Sequence, residues 1–456
     1  MADIEKRLNR AAVKKAVTWG TEIDVDAAGM GLLPLNSGVP KLSVPMIEDE
    51  SYGAFETNLD VGNFSPSDFS LDFDYRYNGR ENFLLAMLMG TAGLPGMYFI
   101  VSATNKYLDF GEGGAEMTAT LTLGTYTALA LSVEIKTQLD AAAGSALTYT
   151  VGYSPSTRKF VISAGGNFEL KWNTGSHAAT DCSALIGFSA AADKTGAATY
   201  TSDVAGVGAG LNYLHTLDLI NSAVGLFGTY SAEKFTTVHV VPSFKVTKAV
   251  FSVNGGLIKS VFSLRGNKII DNSGIIDVIT SATTPGGDHV RARFSQAVFR
   301  LNGQAAADFD GGGADTIRPK SFSLEIERKM DAEHVAGSTS IVEPLENDKP
   351  SVKLTMEFPR MDTVNAAYFA DWIAAAEKKA DITITGPVIE GAYSYYLKFQ
   401  FPRLIIEDVE YADSKIIPAK IVLRGVTADT NPTGMTGLTL PVYATLMNIT
   451  SSNYLA

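Results

Sequence analysis

The chain has 456 residues, of which 46% are hydrophobic and 19% are charged, with a formal net charge of −12 and a pI of about 5.0. This length fits two or three domains, and this composition excludes a chain that is disordered throughout. The excess of acids argues against tight binding to nucleic-acid phosphates, which depends on Lys and Arg.

The cysteine count, the N-terminus and the hydropathy indicate the compartment. The single cysteine, Cys182, cannot form an internal disulfide. Residues 1–20 are charged and lack the apolar stretch of a signal peptide. No apolar run approaches the ~20 residues of a membrane helix. We therefore expect a soluble protein that folds in the cytoplasm, without membrane insertion.

The first predicted elements, in chain order, are a helix over about residues 3–16 and a strand over 40–48. Apolar and polar residues alternate over 67–77, which predicts a half-buried strand. An apolar run over 80–90 predicts a helix that ends at Gly90. Abundant Gly, with Val, Ile, Thr, Tyr and Phe in short runs, predicts a mainly β protein with tight turns.

Residues 95–210 predict a small α+β unit of their own. Leu131, Ile135 and Leu139 recur at helical spacing and indicate one buried helix face. Around this helix we expect a hairpin turning at Gly113-Gly114, strands over 147–154, 159–165 and 168–172, and a short helix over 181–188. Because loops tolerate insertions, we interpret this unit as a domain inserted into the first half of the chain.

The rest of the chain predicts one unit that occurs twice. "VVPSFKVTKAVFSVNGGLIKSVFSLRG" (240–266) aligns with "QFPRLIIEDVEYADSKIIPAKIVLRG" (400–425) with a single gap, and each reads as a hairpin. The other counterparts are 40–48 with 319–330, 67–77 with 351–360, 80–90 with 365–379, and 215–220 with 380–386. Lys378 and Lys379 are predicted to lie in the last turn of the second helix, where the helix dipole favours cations.

The sequence motifs that could indicate catalysis or the binding of a ligand or metal are weak. "GVGAG" (206–210) lacks the helix that follows a phosphate loop, and the acids of 308–315 lack the spacing of a calcium loop. The five histidines show no metal-binding spacing, and no nucleophile motif is present. We therefore predict no enzyme activity and no catalytic, cofactor or metal site. The candidate functional residues are acids on polar strand faces, which would give a channel a negative lining: Asp72, Asp74, Glu325, Glu327 and Glu357.

The doubled unit, with "SVFSLRGNK" (260–268) and "FRLNGQ…IRPKSFSLEIER" (299–328), resembles the tail tube proteins of long-tailed bacteriophages. The segments 108–142 and 153–172 resemble a module that recurs in phage virion proteins. The resemblance implies β-sandwich or split-barrel domains, each with one flanking helix. In that family six domains form a ring whose inner sheets join into a β-barrel, and stacked rings form the tube through which viral DNA is ejected.

Two such domains in one chain imply a trimeric, pseudo-hexameric ring. The implied domains are a first tail tube domain (1–94 plus 211–285), an inserted decoration domain (95–210) and a second tail tube domain with a C-terminal arm (286–456). The N-terminal helix and this arm are expected to reach neighbouring subunits. The implied location is the virion tail, after assembly in the host bacterial cytoplasm.

The resemblance also implies partners. These are further copies of the chain, the tape-measure, terminator and baseplate proteins of the tail, and viral DNA that passes without sequence-specific binding. An acidic lumen would repel phosphate, so that the duplex does not adhere.

Two alternatives remain open at this point. One is a distal-tail or baseplate ring protein of the same fold. The other is a glycan-binding or glycan-cleaving β protein with Glu325 and Glu327 as its carboxylates. The inserted unit could bind a cell-surface glycan or be purely structural.

Overall fold

The computed structural model describes residues 10–25, 32–38, 40, 45–48, 59–63, 67–92, 96–154, 157, 159–206, 213–234, 237–271, 279, 290–309, 315–362, 365–390, 393–411, 417 and 419–455. The described chain is mainly β, with antiparallel sheets, as the composition predicts.

The elements divide into four groups along the chain. Up to residue 101 they are β1 (Ala11–Lys15), β2 (Met46–Glu48), β3 (Leu59–Val61), β4 (Ser67–Asp74), α1 (Glu81–Met89) and β5 (Gly96–Val101). The second group is β6 (Tyr107–Gly111), β7 (Met117–Thr120), β8 (Gly124–Thr127), α2 (Ala128–Ala141), β9 (Tyr149–Ser154), β10 (Lys159–Leu170), α3 (Ser183–Ile186) and β11 (Lys194–Thr201). The third is β12 (Tyr213–Asp218), β13 (Gly228–Lys234), β14 (Thr237–Asn254), β15 (Leu257–Gly266) and β16 (Ile270–Asp271). The fourth is β17 (Ala297–Gly303), β18 (Thr316–Ile317), β19 (Ser321–Glu327), β20 (Met330–Asp331), β21 (Leu345–Glu346), β22 (Ser351–Phe358), α4 (Tyr368–Ile373), β23 (Glu377–Glu390), β24 (Tyr393–Tyr411), β25 (Ala419–Gly425) and β26 (Tyr443–Asn448).

Two long strands, β14 and β24, organise the main body. The first half of β14 pairs with β13 and β16, and its second half pairs with β15 and β19. The first half of β24 pairs with β23 and β26, and its second half pairs with β25. Each long strand therefore belongs to two sets of neighbours. The predicted hairpins β14–β15 and β24–β25 are both present, although residues 412–415 lie outside the described part.

The second halves of these strands lie in one continuous sheet, which we call the shared sheet. Its strand order is β4-β15-β14-β19-β22-β25-β24. One face of this sheet is buried in the main hydrophobic core, as Leu71, Phe251, Leu324 and Leu354 illustrate with 0% exposure. The opposite face carries the polar residues of the alternating pattern.

A second body is formed by residues between 99 and 201. Strands β11, β10, β6 and β7, with β9 beside β10, make a separate sheet. Leu131, Ile135 and Leu139 of α2 are fully buried in a separate core cluster, which confirms the predicted helix face. The helix begins after Thr127, whose side chain accepts a hydrogen bond from the Ala130 amide. The strands predicted over 159–165 and 168–172 are one strand, β10.

The two predicted main-body helices end differently. As predicted, α1 ends at Gly90, which adopts a φ of 89°. The second helix is shorter than predicted, because α4 ends at Ile373 and β23 begins at Glu377. The prediction that Lys378 and Lys379 close this helix is therefore wrong. The ammonium of Lys379 instead donates hydrogen bonds to three backbone carbonyls, a tertiary arrangement that local propensity does not reveal.

Described residues near both termini join sheets of the same chain, and the predicted N-terminal helix is wrong for residues 11–15. Residues 11–15, predicted as helix, form β1 and pair with β13, while residues 3–9 lie outside the described part. At the other end, β26 pairs with β12 and β24 of the same chain, and Tyr454 is buried. In the described part, these segments complete sheets within the chain, since their apolar side chains find partners there.

Candidate functional surface

All five candidate acids lie on the polar face of the shared sheet. Directly opposite residues of neighbouring antiparallel strands project from the same face. One row of such residues is Asp72, Val261, Val250, Glu325, Lys353 and Arg424. The next row is Asp74, Lys259, Ser252, Ser323, Thr355, Val422 and Asp408. Glu327 and Glu357 share this face because each lies two residues from a member of a row.

Basic side chains lie close to three of these acids. Asp74 Oδ1 lies 2.7 Å from Lys259 Nζ, and Glu325 Oε1 lies 2.8 Å from Lys248 Nζ. Glu357 Oε2 lies 3.3 Å from Nζ of Lys320, the residue before β19. The face therefore carries charges of both signs, which differs from the negative lining that the acids alone suggested.

Asp74 has the most extensive set of partners among these acids. Burial raises the pKa of its carboxyl group, but hydrogen bonds from Lys259 and Asn36 and the charges of Lys259 and Arg291 lower that pKa below its usual 3.8 overall. Asp74 is therefore a fixed anion that ties neighbouring segments together. It is not a carboxylate held ready for proton transfer.

The sequence reasoning missed the basic residues of the same face. They occupy the polar positions of the same alternating strands, which is the signal that could have found them. The members are Lys248, Lys259, Arg265, Lys353, Lys420 and Arg424. Mixed charges of this kind limit the attraction for any one ligand charge.

The two edge strands of the shared sheet, β4 and β24, differ in what pairs with their outer sides. At one end, Ser37 pairs with Asp72 of β4 by an isolated antiparallel bridge. At the other end, Asp408, Val409, Glu410 and Tyr411 of β24 pair with β25. Among the strands that the structure describes, no second strand pairs with these four residues. This segment of β24 is therefore an open sheet edge, a feature that folded proteins usually cover or pair.

Other residues singled out from the sequence do not assemble into a site. Cys182 is fully buried, and burial raises the pKa of its thiol. His177 Nδ1 lies 3.0 Å from Oδ1 of the buried Asp109, while His215 is buried against Tyr454. Described residues include no cluster of three or more potential metal ligands. His289, Asp310 and residues 207–210 of the glycine run lie outside the described part.

A cleft of about 510 Å³ opens near the β14–β15 turn. Its lining includes three arginines, Arg76, Arg291 and Arg293, beside Leu257 and Pro387. One of these charges is already engaged, because Arg291 lies 3.5 Å from Asp74.

No protein-family model and no curated protein matches this sequence. In the part of the chain that the structure describes, no helix has the length and apolar character needed to cross a membrane.

Proposed function

We propose that the chain is a structural protein of a phage-type tail tube, which assembles as trimeric, pseudo-hexameric rings that stack around a lumen for viral DNA. The observation that carries this proposal is the shared sheet, which contains the strand set β4-β15-β14 and the matching set β22-β25-β24 in the same order. Among the described strands, only β25 pairs with residues 408–411 of β24.

The duplication is supported by the pairing register of the two halves. Leu264 of β15 lies opposite Phe69 of β4 and Val246 of β14, and Leu423 of β25 lies opposite Leu354 of β22 and Ile406 of β24. The irregularity after Val246 recurs after Ile406. Because bulges are specific features of a ladder, their recurrence at matched positions supports two copies of one unit.

The outer strands of the two halves can be compared in the same way. This comparison changes one of the pairs of matching segments that the sequence suggested. The ladder β13–β14 is irregular between Gly228 and Tyr230, and β23–β24 is irregular between Lys378 and Ala380. On the far side, β1 pairs with β13 as β17 pairs with β23. The counterpart of 380–386 is therefore β13, and not the segment 215–220 that the sequence suggested.

An inserted α+β domain is supported by the separate sheet and core cluster of the second body. Both fall between α1 and β12, where the second half of the chain passes directly from α4 to β23. A body attached at such a loop can lie on the outer wall of a ring, since a bulky domain inside the bore would block it.

Ring geometry is compatible with passage of a duplex. The shared sheet has seven strands, so three chains supply about 21. With strands ~4.8 Å apart and tilted by ~40°, a barrel of these strands is about 42 Å across between backbones. The polar face then lines the lumen. Lys and Arg on this face are interspersed with acids, which weakens the attraction for phosphates.

Electron microscopy of the purified full-length chain tests the proposal. Rings or stacked tubes with sixfold pseudo-symmetry and three chains per ring are the expected result. A strictly monomeric sample at high concentration in several salts would overturn it. The number of copies per virion, measured by quantitative mass spectrometry, separates a tube protein from a baseplate ring, since a tube needs many tens of copies.

A polysaccharide-cleavage assay tests the glycan alternative. Replacing both Glu325 and Glu327 with Gln abolishes cleavage if they are the catalytic carboxylates. The tube function predicts that wild type and this variant are equally inactive.

A further inference from the structure

In the first half of the chain, one end of the β4–β15 strand pair is covered by a segment of the second half. This segment, residues 290–294, lies just before β17. The Ala292 amide donates a hydrogen bond to the carbonyl of Tyr75 at 2.9 Å, and the Ala292 carbonyl accepts one from the amide of Ile258 at 3.0 Å. Tyr75 and Ile258 are both 0% exposed and belong to the main hydrophobic core. The contact is therefore an internal joint between the two halves.

In the second half, the equivalent end of the β22–β25 strand pair is exposed. The Tyr75 amide donates to the carbonyl of Ile258 at 2.9 Å, and the Met361 amide donates in the same way to the carbonyl of Ile417 at 2.7 Å. The register that matches β15 with β25 also matches Ile258 with Ile417. Yet Ile417 is 42% exposed and Met361 is 41% exposed. Positions that are buried in the first half thus reach solvent in the second.

The helices beside these two ends differ in the same way. All nine residues of α1 are buried, and Arg328 of the second half donates hydrogen bonds to two carbonyls at the end of this helix. Counted from the buried asparagine near the start of each helix, Ala86 of α1 corresponds to Phe369 of α4. Phe369 is 45% exposed, and Ile373, one turn further along α4, is 72% exposed. The second half therefore exposes large apolar side chains on a helix whose counterpart is covered.

These exposed side chains lie around Tyr411 of β24. Tyr411 pairs with Ala419, two residues after Ile417, and its ring centroid lies 6.4 Å from that of Phe369. Contiguous exposed apolar residues of this kind mark interaction sites. We call the exposed members of this group the apolar patch: Met361, Phe369, Ile373 and Ile417.

We propose that the apolar patch binds the first half of a second copy of this chain. This inference rests on the proposed ring function and names the surface through which neighbouring subunits meet. The internal joint identifies the occupant, because the equivalent surface of the first half is covered by the second half, and the proposed duplication makes the halves copies of one unit. Such a contact between chains is head-to-tail. Three chains can then close into a ring with three joints within chains and three between them.

The first test introduces charge into the patch of the full-length chain, with assembly followed by sedimentation velocity and electron microscopy. We expect Phe369→Lys and Ile373→Lys each to raise the concentration needed for ring formation by about tenfold or more, because each places an ammonium group in an apolar interface. Leu129→Lys, at a residue of α2 that is 74% exposed, is the matched control and should leave assembly unchanged. Urea unfolding of Ile373→Lys should match wild type, which separates lost assembly from lost folding.

Photo-crosslinking identifies the occupant. With p-benzoylphenylalanine at position 373, rings assembled from isotope-labelled and unlabelled chains should give crosslinks between the two kinds of chain. The crosslinked partner peptide should come from the first half, within 1–94 or 211–285.

The outcomes distinguish this inference from the proposed function. Crosslinks confined to single chains, or to the second half of another chain, would overturn the inference and leave the ring function intact. Rings that form at the wild-type concentration despite both lysines would do the same. A wild-type chain that forms only closed dimers through the patch would support the inference and overturn the ring function, and a chain that never assembles would overturn both.

Discussion

Arg328 Nη1 lies 3.2 Å from Glu346 Oε1, and the Arg328 side chain is fully buried. The same guanidinium donates hydrogen bonds to the carbonyls of Leu88, Met89 and Ile220. A segment just after β19, in the second half of the chain, therefore caps the C-terminal end of α1 in the first half. Burial lowers the pKa of Arg328, and Glu346 opposes this effect by stabilising the charge.

We expect Arg328→Leu to lower the free energy of unfolding by about 3–5 kcal/mol, because the change breaks a buried ion pair with Glu346 and removes one hydrogen-bond donor from each of the three carbonyls. Urea unfolding followed by circular dichroism measures the loss. The control is Lys329→Leu, which removes an ion pair with Asp348 whose two side chains are more than half exposed, 58% and 54%. Because exposed ion pairs contribute little to stability, this change should have only a small effect. Equal losses for the two variants would contradict a capping role for Arg328.

Asn82 and Asn365 make the same contact in the two halves of the chain. Each is buried and donates from Nδ2 to the carbonyl five residues earlier, that of Tyr77 at 3.1 Å and that of Arg360 at 2.9 Å. We expect Asn82→Ala and Asn365→Ala each to cost about 1–3 kcal/mol, since each removes the hydrogen bond of a buried side-chain amide. Thermal and urea unfolding measure both.

The control for this pair is Asn347→Ala. Asn347 is exposed and bonds to Asp331, so its loss should be small. If one buried asparagine proved dispensable and the other did not, the structural equivalence of the two positions would be wrong.

Substitution of Ile135 in α2 tests whether the second body unfolds independently of the main body. It is 0% exposed, and Ile135→Ala should destabilise the second body by about 2–5 kcal/mol. Hydrogen exchange with mass spectrometry should show faster exchange in peptides from α2 and β10, with β14 and β15 unchanged. Leu129→Ala on the same helix is the control, because Leu129 is 74% exposed. Faster exchange throughout the chain would show that the two bodies unfold together.

The lowered pKa of Asp74 predicts a pH-dependent contribution to stability. A carboxyl group whose pKa is lower in the folded state stabilises the fold above the unfolded pKa, and this contribution is lost as pH falls through the folded pKa. Asp74→Asn should therefore cost about 1–2 kcal/mol at neutral pH. The difference from wild type should shrink as the pH falls below about 4. Unfolding midpoints measured from pH 7 to pH 3 provide the test.

Lys259→Met is the matched background for this measurement. Asp74 loses its nearest cation there, so that Asp74→Asn should have a smaller effect than in wild type. An unchanged effect would assign the stabilisation to Asn36 and Arg291 alone.

Local patterns in the sequence were sufficient to predict the strands and helices whose packing partners lie nearby in the sequence. The alternation over 67–77 identified β4, and the segment 240–266 was predicted as the hairpin that β14 and β15 form. The spacing of Leu131, Ile135 and Leu139 identified the buried face of α2. These features follow from the periods of two and 3.6 residues, which short-range sequence expresses directly.

The sequence by itself determined which positions of each strand are buried and which are polar, and it placed the candidate acids on polar positions. Only the tertiary structure decided which strand lies opposite, that Lys259 and Lys248 neutralise Asp74 and Glu325, and that β1 and β26 join sheets. It also decided that, among the described strands, residues 408–411 of β24 pair with β25 alone. The physical reason is that the pleat assigns a face to each side chain locally, whereas its cross-strand neighbour comes from a distant part of the chain through pairing register.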